Sequence, residues 1–270
     1  MNLKVVTLSL VLFTSVLNAQ TKKVSEGAKF QVTQVQNINN SSKLMGMDME
    51  TVMNLNLDIV IEIKSIKDST IILTATTTHI AGSLSVMGQE EKYDSKDPTS
   101  AKNPMAAPFL KDLNKPKEFV LVNGNIVSGK TSGNDEATAP GLEINLPEIV
   151  SELFVSSNFK DKNEGFKWTS EDKSADGSQK AVSIYTITKA TGTAIEVTAN
   201  TSQSSKGTMK MMNMDVSQNL TGIRTSVFSY DKEAGILNNV NQTLEMKGTA
   251  EAMGTAIPIN TKGTIITTIK

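Results

Sequence analysis

The sequence predicts a mainly β protein, with long, strongly curved antiparallel sheets in two related lobes and a short helical connector. Three observations carry that expectation. From Met45 to Ile63 the odd positions read Met45, Met47, Met49, Thr51, Met53, Leu55, Leu57, Ile59, Ile61 and Ile63, while Asp, Glu and Asn dominate the even ones. Successive strand side chains point to opposite faces, whereas a helix would scatter these residues around its circumference. Next, Ile187 to Asn200 echoes Ile63 to Thr76 at a constant offset of 124, placing Ile63 over Ile187, Leu73 over Val197 and Ala75 over Ala199. Finally, Asn123-Gly124 separates Glu118–Val122 from Asn125–Val127, a strong signal for a two-residue hairpin.

In chain order, residues 1–19 read as a cleavable signal peptide. Lys4 supplies the positive start, Val5 to Val16 the apolar core, and Ala19 a small residue before Gln20. Residues 20–130 then form a first β module. Phe30 to Val35 is a strand, Asn37 to Ser42 a polar turn, and Met45–Ile63 the long strand. At roughly 3.3 Å per residue that run spans about 60 Å, so it must coil and its apolar side must be covered. A turn at Ser65–Ser69 leads to a return strand whose inward set passes from Leu73 and Ala75 to Ile80, Leu84 and Val86. The change of parity requires Gly82 or a bulge near His79.

The pattern stops at Tyr93–Pro98. Asn103 as N-cap with Pro104 behind it suggests a short helix through Leu113, cut or kinked at Pro108. Residues 131–160 are a loop and helix connector, with Thr131–Ala139 the loop and Asn145–Phe154 the best helical spacing in the chain. Residues 161–270 form the second β module. There Gly165-Phe166-Lys167-Trp168 echoes Gly27-Ala28-Lys29-Phe30, and Tyr230-Asp231 echoes Tyr93-Asp94. Hairpins follow around Glu233–Gly235 and Gly248–Gly254, and Thr264–Ile269 is the last strand.

Composition narrows function. There are no cysteines, which excludes disulfides, thiolate metal sites and attachment of a lipid to an N-terminal cysteine. Of 27 basic residues Lys4 leaves with the signal, so 26 face 28 acidic ones, and aromatics are 4%. Neither a basic field nor stacking rings are available for nucleic acid. After the signal, no apolar run approaches the about 18 residues a membrane helix needs, and the strands lack the aromatic girdles of a membrane barrel.

Tyr93-Asp94-Ser95-Lys96-Asp97-Pro98, Asn103-Pro104-Met105 and Phe119-Val120-Leu121-Val122-Asn123-Gly124-Asn125-Ile126 form one set of motifs. With Met87-Gly88-Gln89, Gly165-x-x-Trp168 and the Tyr230–Gly235 hairpin, they resemble an exported protein family of Bacteroidota. That family is catalogued only as domain of unknown function 6263. The resemblance covers nearly the whole mature chain, with Pro108 and the Glu143–Pro147 stretch departing from it. It implies a β-rich envelope protein, and it transfers no activity and no catalytic residue.

The residues themselves point the same way. Eight methionines form two clusters, Met45/Met47/Met49/Met53 and Met209/Met211/Met212/Met214. Thioethers suit Cu(I), yet no histidine or cysteine lies nearby to complete a site, and alternating methionines serve equally as adaptable packing. His79, the sole histidine, lacks a partner set for zinc or base catalysis. Asp94, Asp97 and Asp231 follow tyrosines or precede proline, as turn-capping aspartates do. No cofactor, metal or catalytic residue is expected, and the protein is not expected to be an enzyme. Two functional readings remain. One is an apolar, lipid-like ligand held along a face of Met45, Met47, Met49, Met53, Leu55, Leu57, Met209 and Met211. The other is an envelope protein with a packed core that contacts only other proteins. In both, the chain is exported, periplasmic or secreted, and neither spans the membrane nor is lipid-anchored.

Overall fold

The computed structural model describes residues 24–44, 47–100, 110, 112–129, 146–154, 161–174, 177–211, 214–252 and 255–270, with only the backbone described at 44, 208–211, 214–216 and 252. The signal segment, Met45, most of the helix expected at Asn103–Leu113 and the Thr131–Ala139 loop lie outside the described residues. The first half contributes β1 (Lys29–Leu44), β2 (Met47–Lys67), β3 (Thr70–Val86), β4 (Gln89–Asp94), β5 (Lys117–Val122) and β6 (Asn125–Ser128). A short helix, α1 (Leu146–Glu152), follows. The second half adds β7 (Lys167–Lys173), β8 (Gln179–Ala190), β9 (Ala194–Met211), β10 (Met214–Asp231), β11 (Ile236–Ala252) and β12 (Thr255–Ile269).

All twelve strands belong to one antiparallel sheet in the order β6-β5-β3-β2-β1-β12-β11-β10-β9-β8-β7, with β4 also paired to β3. The two halves are therefore joined edge to edge. Pairing of β1 with β12 runs from Val32 opposite Ile269 to Ser42 opposite Ile259. It is sealed by Gln31 and Lys270, whose backbone groups exchange hydrogen bonds of 2.9 and 2.8 Å.

The alternation in β2 is realised as expected. Met53, Leu55, Leu57, Ile59, Ile61 and Ile63 are each 3% exposed or less, while the residues between them are exposed or half-buried. A parity change in β3 occurs at a bulge. Asp58 faces His79 and Ile59 faces Thr77, leaving Thr78 unpaired beside His79. Leu73, Ala75 and Thr77 are buried before it, Ile80 and Leu84 after it. Gly82 serves a different need. A Cβ there would collide with the Asn54 carbonyl oxygen and the Tyr93 hydroxyl.

One expected turn is corrected and another is narrowed. Asn37–Ser42 continues β1 as strand, and the chain reverses between Leu44 and Met47. Its polar side chains are used across the ladder: Asn39 Nδ2 donates to Glu50 Oε1 at 2.6 Å, and Thr261 Oγ1 to Asn40 Oδ1 at 2.6 Å. Turn-type composition was overridden by pairing on both sides. The hairpin expected around Gly248–Gly254 forms at the far end of that range: Gly248 lies inside β11, opposite Leu220, and the chain reverses between Ala252 and Thr255. The Asn145–Phe154 helix appears as α1, and the Asn123-Gly124 hairpin as β5–β6, with positive φ at both turn residues.

The echo at offset 124 extends to backbone detail. In β2–β3 the ladder skips Lys64 between Ile63–Leu73 and Ser65–Ile72; in β8–β9 it skips Thr188 between Ile187–Val197 and Lys189–Glu196. Gly27 N donates to Ile63 O at 2.9 Å, and Gly165 N to Ile187 O at 2.8 Å. Tyr93-Asp94 and Tyr230-Asp231 are not equivalent in this frame. Tyr93 faces Gly82, whereas Tyr230 faces Ile195, the counterpart of Ile71.

Curvature follows from α1. Its seven residues span about 10 Å, yet they contact β6 at one edge of the sheet and β10 and β11 in the other half. On a flat sheet β6 and β10 would lie roughly 34 Å apart, at ~4.8 Å per strand. The sheet must therefore wrap the helix. Leu146, Ile149, Val150 and Leu153 join Phe30, Ile61, Ile63, Phe119, Ile187 and Phe228 in one core on the concave face.

Replacing Gly82 with Ala should lower stability by about 2 kcal/mol or more through overpacking. Gly207→Ala, where a Cβ meets nothing within 4 Å, should be neutral or slightly stabilising. Urea denaturation of both variants checks this; equal midpoints would remove the close-approach argument.

Candidate functional site

The concave face has three levels. Next to α1 it is apolar. Farther along the strands lies a polar belt, and beyond that a second apolar cluster of Ile38, Met53, Leu84 and Leu244. Gly263 sits beneath that cluster, and the space a Cβ would take is filled by Ile38 Cδ1.

The belt arises because inward-pointing positions of β1 and β8–β12 carry amides and hydroxyls. Gln34, Gln36, Ser183, Thr201, Ser226, Gln242 and Thr267 are all under 9% exposed. They satisfy one another: Gln36 Nε2 donates to Gln34 Oε1 at 2.6 Å, and Gln34 Nε2 to Thr267 Oγ1 at 3.0 Å. Ser183 and Thr201 share a 2.8 Å bond.

Charge enters the belt from α1 and β10. Glu148 and Glu152 are four residues apart, hence on one helical face. The Arg224 guanidinium donates through NH1 to Glu148 Oε1, and Gln242 Nε2 lies 3.4 Å from Glu152 Oε1. Arg224 Nε is enclosed and has no hydrogen-bond partner among the described residues. The Arg224 and Glu148 side chains nevertheless keep 25% and 29% of their surface accessible.

One guanidinium serves two carboxyls. Glu152 retains some accessible surface as a residue, but its carboxyl sits deep. Burial, then the Glu148 charge, pushes its pKa up to about 8, against the opposing pull of Arg224. Burial also raises the Tyr185 and Tyr230 hydroxyls, with the Glu152 charge adding to both. Trp168, the sole tryptophan, stacks on Tyr185 with ring centroids 4.9 Å apart, beside Phe228 and Tyr230.

A second ionic group occupies the convex face. His79 Nδ1 is 3.0 Å from Asp58 Oδ2, and Nε2 is 2.9 Å from Asp94 Oδ1, so one imidazole ties β2, β3 and β4. Asp94 Oδ1 also accepts from Lys96 N at 2.8 Å. That amide, then His79, holds the Asp94 carboxyl below its usual range. Asp97 caps the next turn, accepting from Thr99 N. Both ring nitrogens of His79 thus lie against carboxylate oxygens of other strands. A groove of about 300 Å³ beside it is lined by Thr33, Asp58, Thr78, His79 and Lys96. Another, of about 490 Å³, is lined by Asn37, Val52, Ile223, Thr243 and Lys262 together with Ile38 and Leu244 of the second apolar cluster. Among the described residues, no group of three or more histidines and carboxylates is placed to hold a metal ion.

The methionine face is divided. Leu55 and Leu57 have no accessible surface and Met53 is 3% exposed; Met49 is half-buried and Met47 is 59% exposed. Met45 lies outside the described residues, as do the side chains of Met209 and Met211. Strand register puts Met209 and Met211 at the end of β9, opposite Val216 and Met214. In an antiparallel sheet of this order, that end lies on the same rim as Met47 and the exposed Met87, between β3 and β4. Sequence reasoning missed Glu148, Glu152 and Arg224. Their only sequence signal is a pair of carboxyls at helical spacing, a pattern common on solvated helices.

No family model matches the chain, and no curated protein matches it in sequence. Among solved structures, it is similar to a lipovitellin described under "Lipid-protein interactions in lipovitellin". The TM-score is 0.53 at 9% identity, covering 91% of this chain and 26% of that one. The likeness is one of fold. This chain spans about a quarter of the lipovitellin chain it matches. An outer-membrane channel from Pseudomonas putida F1 aligns with a TM-score of 0.30 and 6% identity, over 93% of this chain and 98% of that one; that score is too low to indicate a shared fold.

The folded Glu152 carboxyl binds its proton more tightly than the unfolded one. Stability should therefore fall as pH rises from about 4.5 to about 8 and level off above. Glu152→Gln should flatten that slope in urea titrations across the window; an unchanged slope would place the proton elsewhere. On the other face, His79 links three strands through its two ring nitrogens. His79→Leu should lower the urea midpoint by the equivalent of about 1 kcal/mol or more, and an unchanged midpoint would show that these contacts do not hold the strands together.

Proposed function

We propose that this chain is an exported, non-catalytic envelope protein that holds an apolar, lipid-like ligand on the concave face of its sheet. The observation that carries the reading is that the apolar stripe of the concave face outruns its cover. Helix α1 and the belt close the lower part, but inward-facing residues continue through Ile38, Met53, Leu84 and Leu244 to half-buried Met49 and Met246 and exposed Met47. Thioether side chains repack around ligands of differing shape. The lipovitellin likeness, described for its lipid–protein interactions, supports the same ligand class. The signal-like N-terminus and the resemblance to exported Bacteroidota proteins support the location. Among the described residues, Glu148 pairs with Arg224 and His79 with Asp58 and Asp94, and ionic groups tied to one another favour binding over catalysis.

A second reading rests on a specific observation too. Leu55, Leu57, Ile59, Ile61 and Ile63 are at most 1% exposed, so their side chains are enclosed by neighbours. This part of the stripe is solid core, as an envelope protein that contacts only other proteins would have throughout.

Native mass spectrometry of protein extracted gently from its source separates the two. The ligand-holding reading expects an added mass of a few hundred daltons, lost on organic extraction. Recovery of the bare chain alone, with no uptake of a fluorescent fatty acid afterwards, would leave only the packed-core reading.

A further inference from the structure

Resting on the apolar-ligand reading, we propose that Arg224, Gln242 and Glu152 form the seat for the ligand's head group, and that this head group is an acyl carboxyl, presented as a free carboxylate or as an ester carbonyl.

The argument is one of unmet donors. Arg224 Nε–H is enclosed and donates to nothing among the described residues. A buried donor without an acceptor is costly, and native structures rarely keep one idle. The Gln242 amide reaches Glu152 only at 3.4 Å, so it too has capacity to spare. Glu148 does not fill the gap, because its carboxylate is taken by NH1 on the other side of the guanidinium. Burial, with the Glu148 charge beside it, leaves Glu152 with a proton near neutral pH, which makes it a further donor. What the cluster lacks is an oxygen acceptor. Arg224 keeps 25% of its side-chain surface, so a ligand can reach the guanidinium, and a turn of the side chain is needed to present the enclosed Nε–H to it.

The surroundings suit a chain attached to such a head. Opposite Arg224 on β11 is Leu244; from there toward the rim the concave positions are Gly222, Leu220 and Gln218 on β10 and Met246, Gly248 and Ala250 on β11, so the path is apolar until Gln218. Leu220 and Ala250 are buried, while Leu244 and Met246 are half-buried. An acyl chain with its carboxyl at Arg224 would run along these residues to the methionine-bearing rim. A cationic head would meet the Arg224 guanidinium, and an alcohol would offer a weaker acceptor than a carboxyl oxygen.

The test is an 18-carbon series on the delipidated chain by isothermal titration calorimetry: oleate, methyl oleate, oleyl alcohol and oleylamine. Oleate should bind at least tenfold tighter than the alcohol and the amine. Methyl oleate equal to oleate would assign an ester, and methyl oleate tenfold weaker a free carboxylate; either supports the seat. Arg224→Lys keeps a cation for Glu148 but has no N–H at the Nε position, and should erase the preference. Gln242→Met should reduce it several-fold. If all four lipids bind alike, or the preference survives Arg224→Lys, the seat is refuted while the ligand reading stands. If none binds, both fall. The wild-type series decides the matter even if a variant fails to fold.

Discussion

Everything in this fold answers to the alternation in β2. Six consecutive inward positions, Met53 to Ile63, are apolar, and the pleat leaves them no other face. Burying six such side chains is worth roughly 10 kcal/mol at about 1.5–3 kcal/mol each, before entropy is counted. A single sheet cannot supply that burial on its own concave side while flat. The sheet therefore curls, and α1, with Leu146, Ile149 and Val150 inward, fills the space so enclosed. The bulges at Thr78, Lys64 and Thr188 fit the same demand, since each extra residue bends and twists its strand.

Much of this was legible in the sequence, because a period of two is a local property. It located β2 and required a parity change in β3 near His79, where Thr78 bulges. It also found the β5–β6 hairpin and α1. It misjudged Asn37–Ser42, where Asn and Ser read as turn residues. Their strand state comes from neighbours at Asn260–Thr264 and Glu50–Asn54, hundreds or tens of residues away, which local propensity does not see. The joining of both halves into one sheet was hidden for the same reason: β1 and β12 sit at opposite ends of the chain.

The candidate site was less legible still. Arg224 is one charged residue in a Thr- and Ser-rich strand, and nothing in its surroundings in sequence says that it points inward. Only the pairing of β10 with β11 puts it opposite Leu244, on the face shared with Val240 and Phe228. His79 was judged partnerless because Asp58 and Asp94 are distant in sequence. Register and the Thr78 bulge bring them to its two nitrogens. In both cases the residue types were visible and the geometry that gives them meaning was not.

The polar belt is what a purely structural account explains least well. An apolar core of this size would be more stable if Gln34, Gln36, Gln242 and Arg224 were aliphatic, since buried ion pairs and amides at best offset their own desolvation. Their side chains satisfy one another over most of the belt; the exception within it is Arg224, where Nε is idle beside a carboxyl that burial keeps protonated, and toward the rim Gln218 Oε1 is likewise enclosed without a partner among the described residues. That exception is also where the concave face turns from solid to partly accessible, below a rim whose apolar residues are flexible thioethers. A layer that costs stability, and holds an idle donor where it is also partly accessible, is hard to account for by packing alone, because an aliphatic side chain at position 224 would remove both the desolvation cost and the idle donor.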